Sequence, residues 1–239
     1  MNIKAVLFDL DGTLLPMDFD IFLKAYFGGL CKKMVPFGYE PDQLVKAIWK
    51  GTDAMIKNDG SVTNEEAFKN CFKGIYGEEA LGHIPYFDEF YKTDFKEVQK
   101  VCGYTPDAKK TVDFLKSRGL RLVLATSPIF PLVAIEARLS WAGLSPSDFE
   151  FVTTYENSCY TKPNPKYYLG IAERLGLDPE ECIMVGNDVG DDMVAATIGM
   201  KVFLLTDNLI NKSGEDIEKY PHGNYSEMLD FLIKVISEA

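Results

Sequence analysis

Positive charge, histidine and pairable cysteine are all scarce in this sequence of 239 residues. Lys and Arg number 25 against 36 Asp and Glu, a formal net charge of -11, so the chain lacks the basic surface that nucleic acids and anionic membranes require. The five cysteines are odd in number and show no C-x-x-C spacing, which indicates neither a disulfide framework nor a zinc site. No apolar run has the length of a signal peptide or a membrane span. We therefore expect a cytoplasmic protein without nucleic-acid or membrane partners.

Several common catalytic arrangements are missing as well. The two histidines, His83 and His222, do not follow predicted strands, which disfavours a histidine base. No cysteine has an arginine six positions later, as a cysteine phosphatase loop would require. The sequence also contains no G-x-S-x-G, no Walker A loop and no G-x-G-x-x-G. Chemistry based on carboxylates remains.

Helix and strand signals alternate regularly from Thr105 to the end of the chain. Thr105-Pro106 and Asn164-Pro165 each place an N-cap residue before a proline at the first helical position. This alternation of apolar strands and helices predicts an α/β fold with a doubly wound parallel sheet that is covered on both faces. Strands are predicted over 120–126, 150–155, 182–186 and 201–205, and helices over 106–118, 131–143, 165–175, 190–199 and from Ser226.

A long helical insertion follows the first strand. Residues 16–103 contain no convincing strand, but they carry several helix signals, including a capping box at 63–66. We therefore predict a core made of residues 1–15 and 104–239, with 16–103 inserted as an all-helical unit. Short hinges are expected near Leu15–Asp18 and near Gly103. Helices are predicted over 20–34, 41–57, 67–76 and 86–101.

Polar residues follow several of the predicted parallel strands. Asp9 and Asp11 end the first strand, Thr126 ends "LVLAT", Asp188 lies just beyond "IMVG", and Lys162 lies in the turn "TKPNP". Because ligands of open parallel sheets bind at the carboxyl ends of the strands, we expect these side chains to converge on one site.

Each of these residues also has an ordinary interpretation. "DLDG" could be a simple turn, although a buried strand in front of it makes two adjacent acids costly. A calcium loop is excluded because its sixth position, where glycine is required, is Leu14. "NDVGDDM" could be a solvated acidic loop, Lys162 a surface lysine and Thr126 an unremarkable hydroxyl. Their joint order along the chain favours a site.

A hard divalent cation would explain the paired carboxylates. Mg²⁺ prefers carboxylate and carbonyl oxygens and is usually held by few protein carboxylates together with a substrate phosphate. A carboxylate next to the metal would stay ionised and able to attack, while a neighbour outside the metal's reach could carry a proton.

Four segments together resemble the motifs of the haloacid dehalogenase superfamily, in its Mg²⁺-dependent phosphatase branch. They are similar to the family's four motifs in the same order, and the resemblance covers essentially the whole core. It implies a Rossmann-like core, and the helical insertion resembles the family's mobile cap of the first type. The segments are "FDLDGTL" (8–14), "VLATS" (123–127), "TKPNP" (161–165) and "VGNDVGDDM" (185–193).

The resemblance also implies roles for the reacting groups. Asp9 would be the nucleophile that forms an aspartyl-phosphate. Asp11 would protonate the leaving alcohol and then activate the hydrolytic water. Thr126 and the backbone N–H of Ser127 would bind the phosphoryl group, and Lys162 would neutralise that group and orient Asp9.

The metal ligands implied by the resemblance are the Asp9 side chain, the Asp11 backbone carbonyl and Asp188. Asp192 would not bind the metal directly but would pair with Lys162. The family often has Gly-Asp directly after the fourth strand, whereas this chain has Asn187 before Asp188. We assign the metal to Asp188, because a carboxylate balances a divalent cation better than an amide does.

Three alternative functions stay open. A phosphomutase would share every core motif, a metal-independent dehalogenase would not need Asp11, Asp188 and Asp192, and a non-catalytic metal-binding protein would not need a complete motif set.

The expected partner is a small phosphorylated metabolite, bound by a monomer or a homodimer. The aromatic residues Phe19, Phe22, Tyr26 and Phe27 are interpreted chiefly as the core of the insertion, and Lys32, Lys33, Lys46 and Lys50 as either solvated or substrate-facing.

Overall fold

The computed structural model describes residues 2–237, and a sheet of six parallel strands lies at its centre. The strands lie side by side in the order β3-β2-β1-β4-β5-β6, the order of a doubly wound sheet. The predicted α/β fold class is therefore confirmed. In chain order the strands are β1 (Ala5–Phe8), β2 (Arg121–Leu124), β3 (Phe151–Val152), β4 (Cys182–Gly186), β5 (Lys201–Leu205) and β6 (His222–Gly223).

The central strand β1 is buried on both faces. Val6 and Phe8 belong to one hydrophobic core and Ala5 and Leu7 to the other, because successive side chains of a strand point to opposite faces. All four are fully buried. The strand is thus fixed from both sides, and the residues that follow it start from a rigid position.

Four α-helices pack on the sheet. The Asn164 side chain accepts a hydrogen bond from the Lys166 N–H at 3.0 Å, so the helix Pro165–Leu175 (α7) begins where its N-cap predicts. It ends at Gly176, which adopts the left-handed conformation (φ 64°) that glycine accommodates without strain. The helices are α5 (Pro106–Ser117), α6 (Leu132–Trp141), α7 (Pro165–Leu175) and α8 (Tyr225–Ser237).

Residues 16–103, all of which the structure describes, contain helices and turns but no strand. The predicted capping box is present, since Thr63 accepts from the Glu66 N–H and Glu66 accepts from the Thr63 N–H. The four α-helices of this segment are α1 (Phe19–Met34), α2 (Pro41–Ile56), α3 (Asn64–Tyr76) and α4 (Ile84–Lys92).

The helical segment joins the sheet through two linkers that lie side by side. The Gly103 N–H donates to the Pro16 carbonyl at 2.7 Å, and Met17 pairs with Cys102 in an isolated antiparallel bridge. These residues coincide with the expected hinges. The division into a core and a cap remains a prediction.

The start of α3 touches the core at a second place. Asn64 is fully buried, and its side-chain amide donates to the Pro128 carbonyl at 3.1 Å. The N–H groups of Asn64 and Glu65 donate to the carbonyls of Ser158 and Tyr155, each at 2.8 Å. We call these three hydrogen bonds the α3 contact.

Some elements differ from the sequence-based expectation. The helix expected over 190–199 is a 3₁₀ helix over Met193–Ile198, because few residues separate the Asp192 side chain, which is held in the site, from the left-handed Gly199. The helix expected over 86–101 begins earlier and is divided at Thr93, whose hydroxyl donates to the Glu89 carbonyl at 2.7 Å. Among residues 2–237 no helix is both long and apolar enough to cross a membrane.

Candidate active site

The site begins where β1 ends beside β4. The Asp9 N–H donates to the Val185 carbonyl at 2.9 Å, which extends the β1–β4 ladder by one residue and fixes the Asp9 backbone. Asp9 is only 8% exposed. These two strands are the ones between which the sheet order reverses, so Asp9 lies at the switch point where such sheets bind ligands.

A tight loop follows Asp9 and packs on Asn187. Gly12 has φ +87°, and a Cβ there would lie 2.3 Å from the Asn187 amide nitrogen, so the close approach requires glycine. The Thr13 hydroxyl donates to Asn187 Oδ1 at 3.0 Å, and Asn187 Nδ2 donates to the Asn208 carbonyl at 2.6 Å. The Asn187 amide is thus engaged in holding two loops together.

Lys162 joins two of the predicted acids. Its side chain is buried, and Nζ donates to Asp9 Oδ1 at 2.8 Å and to Asp192 Oδ1 at 2.6 Å. Burial by itself would lower the pKa of Lys162, but the charges of Asp192 and Asp9 raise it well above its usual value, so the ammonium stays charged. The expected pairing of Lys162 with Asp192 is present.

Asp188 is held by backbone groups. Its N–H donates to Asp192 Oδ2 at 2.9 Å, and its own Oδ1 accepts from the N–H groups of Gly190 and Asp191 at 2.8 and 3.0 Å. The Asp192 carboxylate therefore connects Lys162 to the Asp188 loop. Asp188 is half-buried and lines the same cavity as Asp9.

Thr126 and Ser127 follow β2 and also line this cavity. The Thr126 carbonyl accepts from the hydroxyls of Tyr167 at 2.8 Å and Thr153 at 2.7 Å, so the peptide after β2 is held by β3 and α7. The structure thus brings all seven predicted side-chain positions to the carboxyl edge of one sheet. It does not assign their roles.

Burial changes the acidity of the two acids after β1. Desolvation, with smaller contributions from Asp192 and Asp11, raises the pKa of Asp9 to about 7, although Lys162 acts in the opposite direction. Desolvation also raises the pKa of Asp11, and Arg138 opposes that shift. A raised pKa suits a group that carries a proton to a leaving alcohol near neutral pH.

Arg138 is the main site residue that sequence reasoning missed. It lies on α6, is fully buried, and its guanidinium donates to Asp11 Oδ2. The guanidinium carbon lies 4.4 Å from the centroid of the Phe130 ring and 5.9 Å from that of Phe22. Arg138 therefore holds one Asp11 oxygen, while the other, Oδ1, is buried and has no hydrogen-bond partner among the described residues.

We expect Arg138→Met to lower the free energy of unfolding by about 3–5 kcal/mol, because it leaves a buried carboxylate without its counter-charge. Adding Asp11→Asn to this variant is expected to restore most of the loss, since the unpaired charge is then removed as well. Urea denaturation of the two single variants and the double variant measures the coupling.

Arg118→Met is the matched control for this cycle, because Arg118 is exposed and stacks on the Phe114 ring at 5.1 Å. Its change should stay within about 0.5 kcal/mol, as is usual at surfaces. A double variant no more stable than Arg138→Met would show that Arg138 stabilises the fold by packing and not by its charge.

A cavity of about 340 Å³ connects the acids with the helical segment. Phe19, Tyr26 and Phe27 line it, so three of the four aromatic residues interpreted as core of the insertion face this space, while Phe22 does not. Asp191 also lines the cavity, and desolvation raises its pKa to about 6. None of the four lysines considered for substrate contact lines it.

The donor set suits Mg²⁺. Among residues 2–237 no cluster of three or more His, Cys, Asp or Glu side chains is arranged to hold a metal by itself. Asp9 and Asp188 are two of the carboxylates that line the cavity, and within the described part of the chain no hydrogen bond occupies the Asp11 carbonyl. Two carboxylates and one carbonyl, completed by water and a substrate phosphate, form the kind of site that Mg²⁺ prefers.

Comparison with known proteins identifies a family to which most of the chain matches. The model for haloacid dehalogenase-like hydrolases matches residues 3–199. The glyceraldehyde 3-phosphate phosphatase of Methanothermobacter thermautotrophicus is 28% identical over 223 residues, covering 91% of this chain and 92% of the relative. The phosphoglycolate phosphatase of Aquifex aeolicus is 27% identical over 205 residues, covering 84% of each chain. A HAD phosphatase structure from Thermococcus onnurineus matches with a TM-score of 0.63 at 23% identity, covering 96% of this chain and 98% of that one.

Proposed function

The chain belongs to the haloacid dehalogenase-like hydrolases, and from this premise we propose that it is a Mg²⁺-dependent phosphatase that hydrolyses a small phosphomonoester through an aspartyl-phosphate on Asp9. The observation that carries the proposal is the buried Asp9–Lys162–Asp192 chain at the switch point of the sheet. Lys162 holds one Asp9 oxygen, and the cavity gives a phosphate access to the carboxylate.

In the first step an Asp9 oxygen attacks phosphorus, a new P–O bond forms and the P–O bond to the alcohol breaks. Asp11 gives its proton to the departing alkoxide, so that a neutral alcohol leaves. Lys162 balances charge at Asp9 and the phosphoryl oxygens, while Thr126 and the Ser127 N–H hydrogen-bond to them. Positioning and charge neutralisation supply most of the acceleration in phosphoryl transfer.

In the second step Asp11, now a carboxylate, takes a proton from water as the water oxygen attacks phosphorus. The bond between phosphorus and Asp9 breaks, inorganic phosphate leaves and both aspartates return to their starting states. Arg138 holds Asp11 Oδ2, which leaves Oδ1 for both proton transfers.

A Mg²⁺ ion at Asp9, the Asp11 carbonyl and Asp188 would neutralise the phosphate and keep Asp9 ionised. The same proposal treats residues 16–103 as a cap that closes the site from water, since this segment supplies much of the cavity wall.

We expect phosphate release from p-nitrophenyl phosphate in Mg²⁺, loss of that release in EDTA, and recovery when Mg²⁺ is added back. Mg²⁺ should also raise the melting temperature of the protein, because a ligand that binds only the folded state stabilises it. Full turnover in EDTA contradicts the proposed metal requirement.

Asp188→Asn sharpens this test. The amide oxygen keeps the hydrogen bonds from Gly190 and Asp191 but loses the charge, so half-maximal activity should require about tenfold more Mg²⁺ or higher, the loss typical of an altered metal site. Asp207→Asn is the matched control, since this exposed acid follows β5 and does not line the cavity. If both variants needed the same higher Mg²⁺ concentration for half-maximal activity, the increase would result from the change in overall charge and not from the loss of a metal ligand.

A further inference from the structure

The cavity has a polar end at the sheet and an apolar wall on the helical segment. Among the residues of 16–103 that line it, only Thr52 and Asp88 are neither aliphatic nor aromatic, and none is Lys or Arg. The wall includes Phe27 and Trp49, whose ring centroids lie 5.6 Å apart. Trp49 is also 46% exposed, which places it where the cavity meets solvent.

The three hydroxyl groups of this wall are already hydrogen-bonded within the protein. The Tyr26 and Tyr91 hydroxyls hydrogen-bond to each other at 2.8 Å, and the Thr52 hydroxyl donates to the Ile48 carbonyl at 3.0 Å. A sugar phosphate would therefore lose the hydration of several hydroxyls and find few partners, which is unfavourable for buried polar groups.

The wall also lacks a counter-charge for a second anionic group. The cations that line the cavity are Lys162, already paired with two acids, and Lys212, which belongs to the sheet side. Lys33 pairs with Glu89 and Asp94 instead. A carboxylate or second phosphate placed against the helical segment would meet Asp88 and no cation.

We infer that the substrate is the phosphomonoester of an apolar alcohol, aromatic or branched aliphatic, without a second negative charge. The inference rests on the proposed function, because the phosphate end of the cavity is taken as the reacting end. It separates this chain from its relatives that are named for glyceraldehyde 3-phosphate and phosphoglycolate, both of which are small and polar. Aromatic walls bind apolar groups through burial and ring contacts.

Calorimetry with non-hydrolysable phosphonates tests the inference without relying on turnover. In Mg²⁺ we expect benzylphosphonate to bind the wild-type protein at least about tenfold more tightly than methylphosphonate, a difference typical of filling an apolar pocket. Phosphonoacetate should bind no more tightly than methylphosphonate. Binding of phosphonoacetate as tightly as benzylphosphonate, or tighter, overturns the inference.

Two variants locate the apolar preference. Trp49→Ala should remove most of the advantage of benzylphosphonate and leave methylphosphonate binding unchanged. Tyr104→Ala is the matched control, because Tyr104 is 63% exposed and does not line the cavity. An advantage that survives Trp49→Ala in full, or falls equally in the control, contradicts the placement of the alcohol at this wall.

Hydrolysis separates the two proposals. Faster turnover of benzyl phosphate than of phosphoglycolate and glyceraldehyde 3-phosphate supports both proposals, while the reverse order overturns the substrate class and leaves the phosphatase intact. If none of these esters nor p-nitrophenyl phosphate is hydrolysed, the phosphatase proposal fails, and the order of phosphonate binding still decides whether the cavity is selective for apolar groups.

Discussion

Asp9→Asn is expected to lower turnover of p-nitrophenyl phosphate by roughly 10⁴-fold or more, the scale of loss when a nucleophile is removed. The amide has almost the same shape, and its oxygen can still accept a hydrogen bond from Lys162, but it cannot form the phosphorylated intermediate. Steady-state kinetics with excess Mg²⁺ measures the loss, and acid-quenched protein incubated with ³²P-labelled substrate should carry label only in the wild type.

The same substitution is expected to keep or raise the stability of the metal-free protein. Burial raises the pKa of Asp9 from 3.8 to about 7, so the folded state disfavours the carboxylate. The contribution of Asp9 to the free energy of unfolding of the wild type therefore falls as pH rises from about 4 towards 7. Asn at this position has no charge to desolvate, so the variant does not show this loss. In EDTA the melting temperature of the variant should exceed that of the wild type by more at pH 7.5 than at pH 5.

These two readouts together distinguish chemistry from folding. A variant that is inactive and at least as stable as the wild type has lost a reacting group, since sites that are built for function carry strained or desolvated residues. Retention of normal turnover would exclude Asp9 as the nucleophile. Loss of turnover with a strongly lowered melting temperature would instead make Asp9 a structural partner of Lys162.

Asp11→Asn is expected to lower turnover by about 10²- to 10⁴-fold, the usual contribution of a general acid and base. The loss should be larger for an alkyl phosphate than for p-nitrophenyl phosphate, because p-nitrophenolate leaves without needing a proton. The second step still requires a base, so the phosphorylated enzyme should accumulate. Rapid-quench kinetics should show a burst of up to one p-nitrophenolate per site followed by a slow phase.

Comparing the two esters provides the control within the Asp11 experiment. Both bind the same phosphate end of the site, so any loss caused by a displaced loop affects them equally. Equal losses for both esters, with no burst, would mean that Asp11 acts only through its ion pair with Arg138. Unequal losses in the expected order support direct proton transfer.

Much of the fold follows from local signals. The bounds of β4, β5 and α7 match the prediction to the residue, because each element is a strong apolar or amphipathic run closed by glycine, proline or a polar turn. By contrast, β3 is two residues long where six were expected, and β6 was not predicted. These two strands lie at the edges of the sheet, where pairing with a neighbour defines the strand more than its own composition does.

The site divides in a similar way. Asp9, Asp11, Thr126 and Asp188 were found because each follows a predicted strand at the edge where parallel strands end. Lys162 was found in the turn before a predicted helix, and Asp192 through the resemblance of its segment to a family motif. Arg138 was not, because it stands in the middle of a helix, 127 positions from Asp11, and the two meet only because α6 and β1 contribute to the same hydrophobic core. The apolar wall was missed for a related reason: the spacing of Phe19, Tyr26 and Phe27 along α1 shows that they share a face but not what that face contacts.

If residues 16–103 act as the proposed cap, the α3 contact has a consequence for how often the cavity opens. Separating this segment from the sheet breaks the three hydrogen bonds of Asn64 and Glu65, as well as ring contacts such as that of Phe95 with Trp141. At about 1 kcal/mol for each bond, these three bonds by themselves lower the open population on the order of 100-fold. A ligand that enters only through the open form associates more slowly by that factor, because only the open fraction admits it. Asn64, far along the chain from every proposed reacting group, would therefore set part of the rate at which substrate enters.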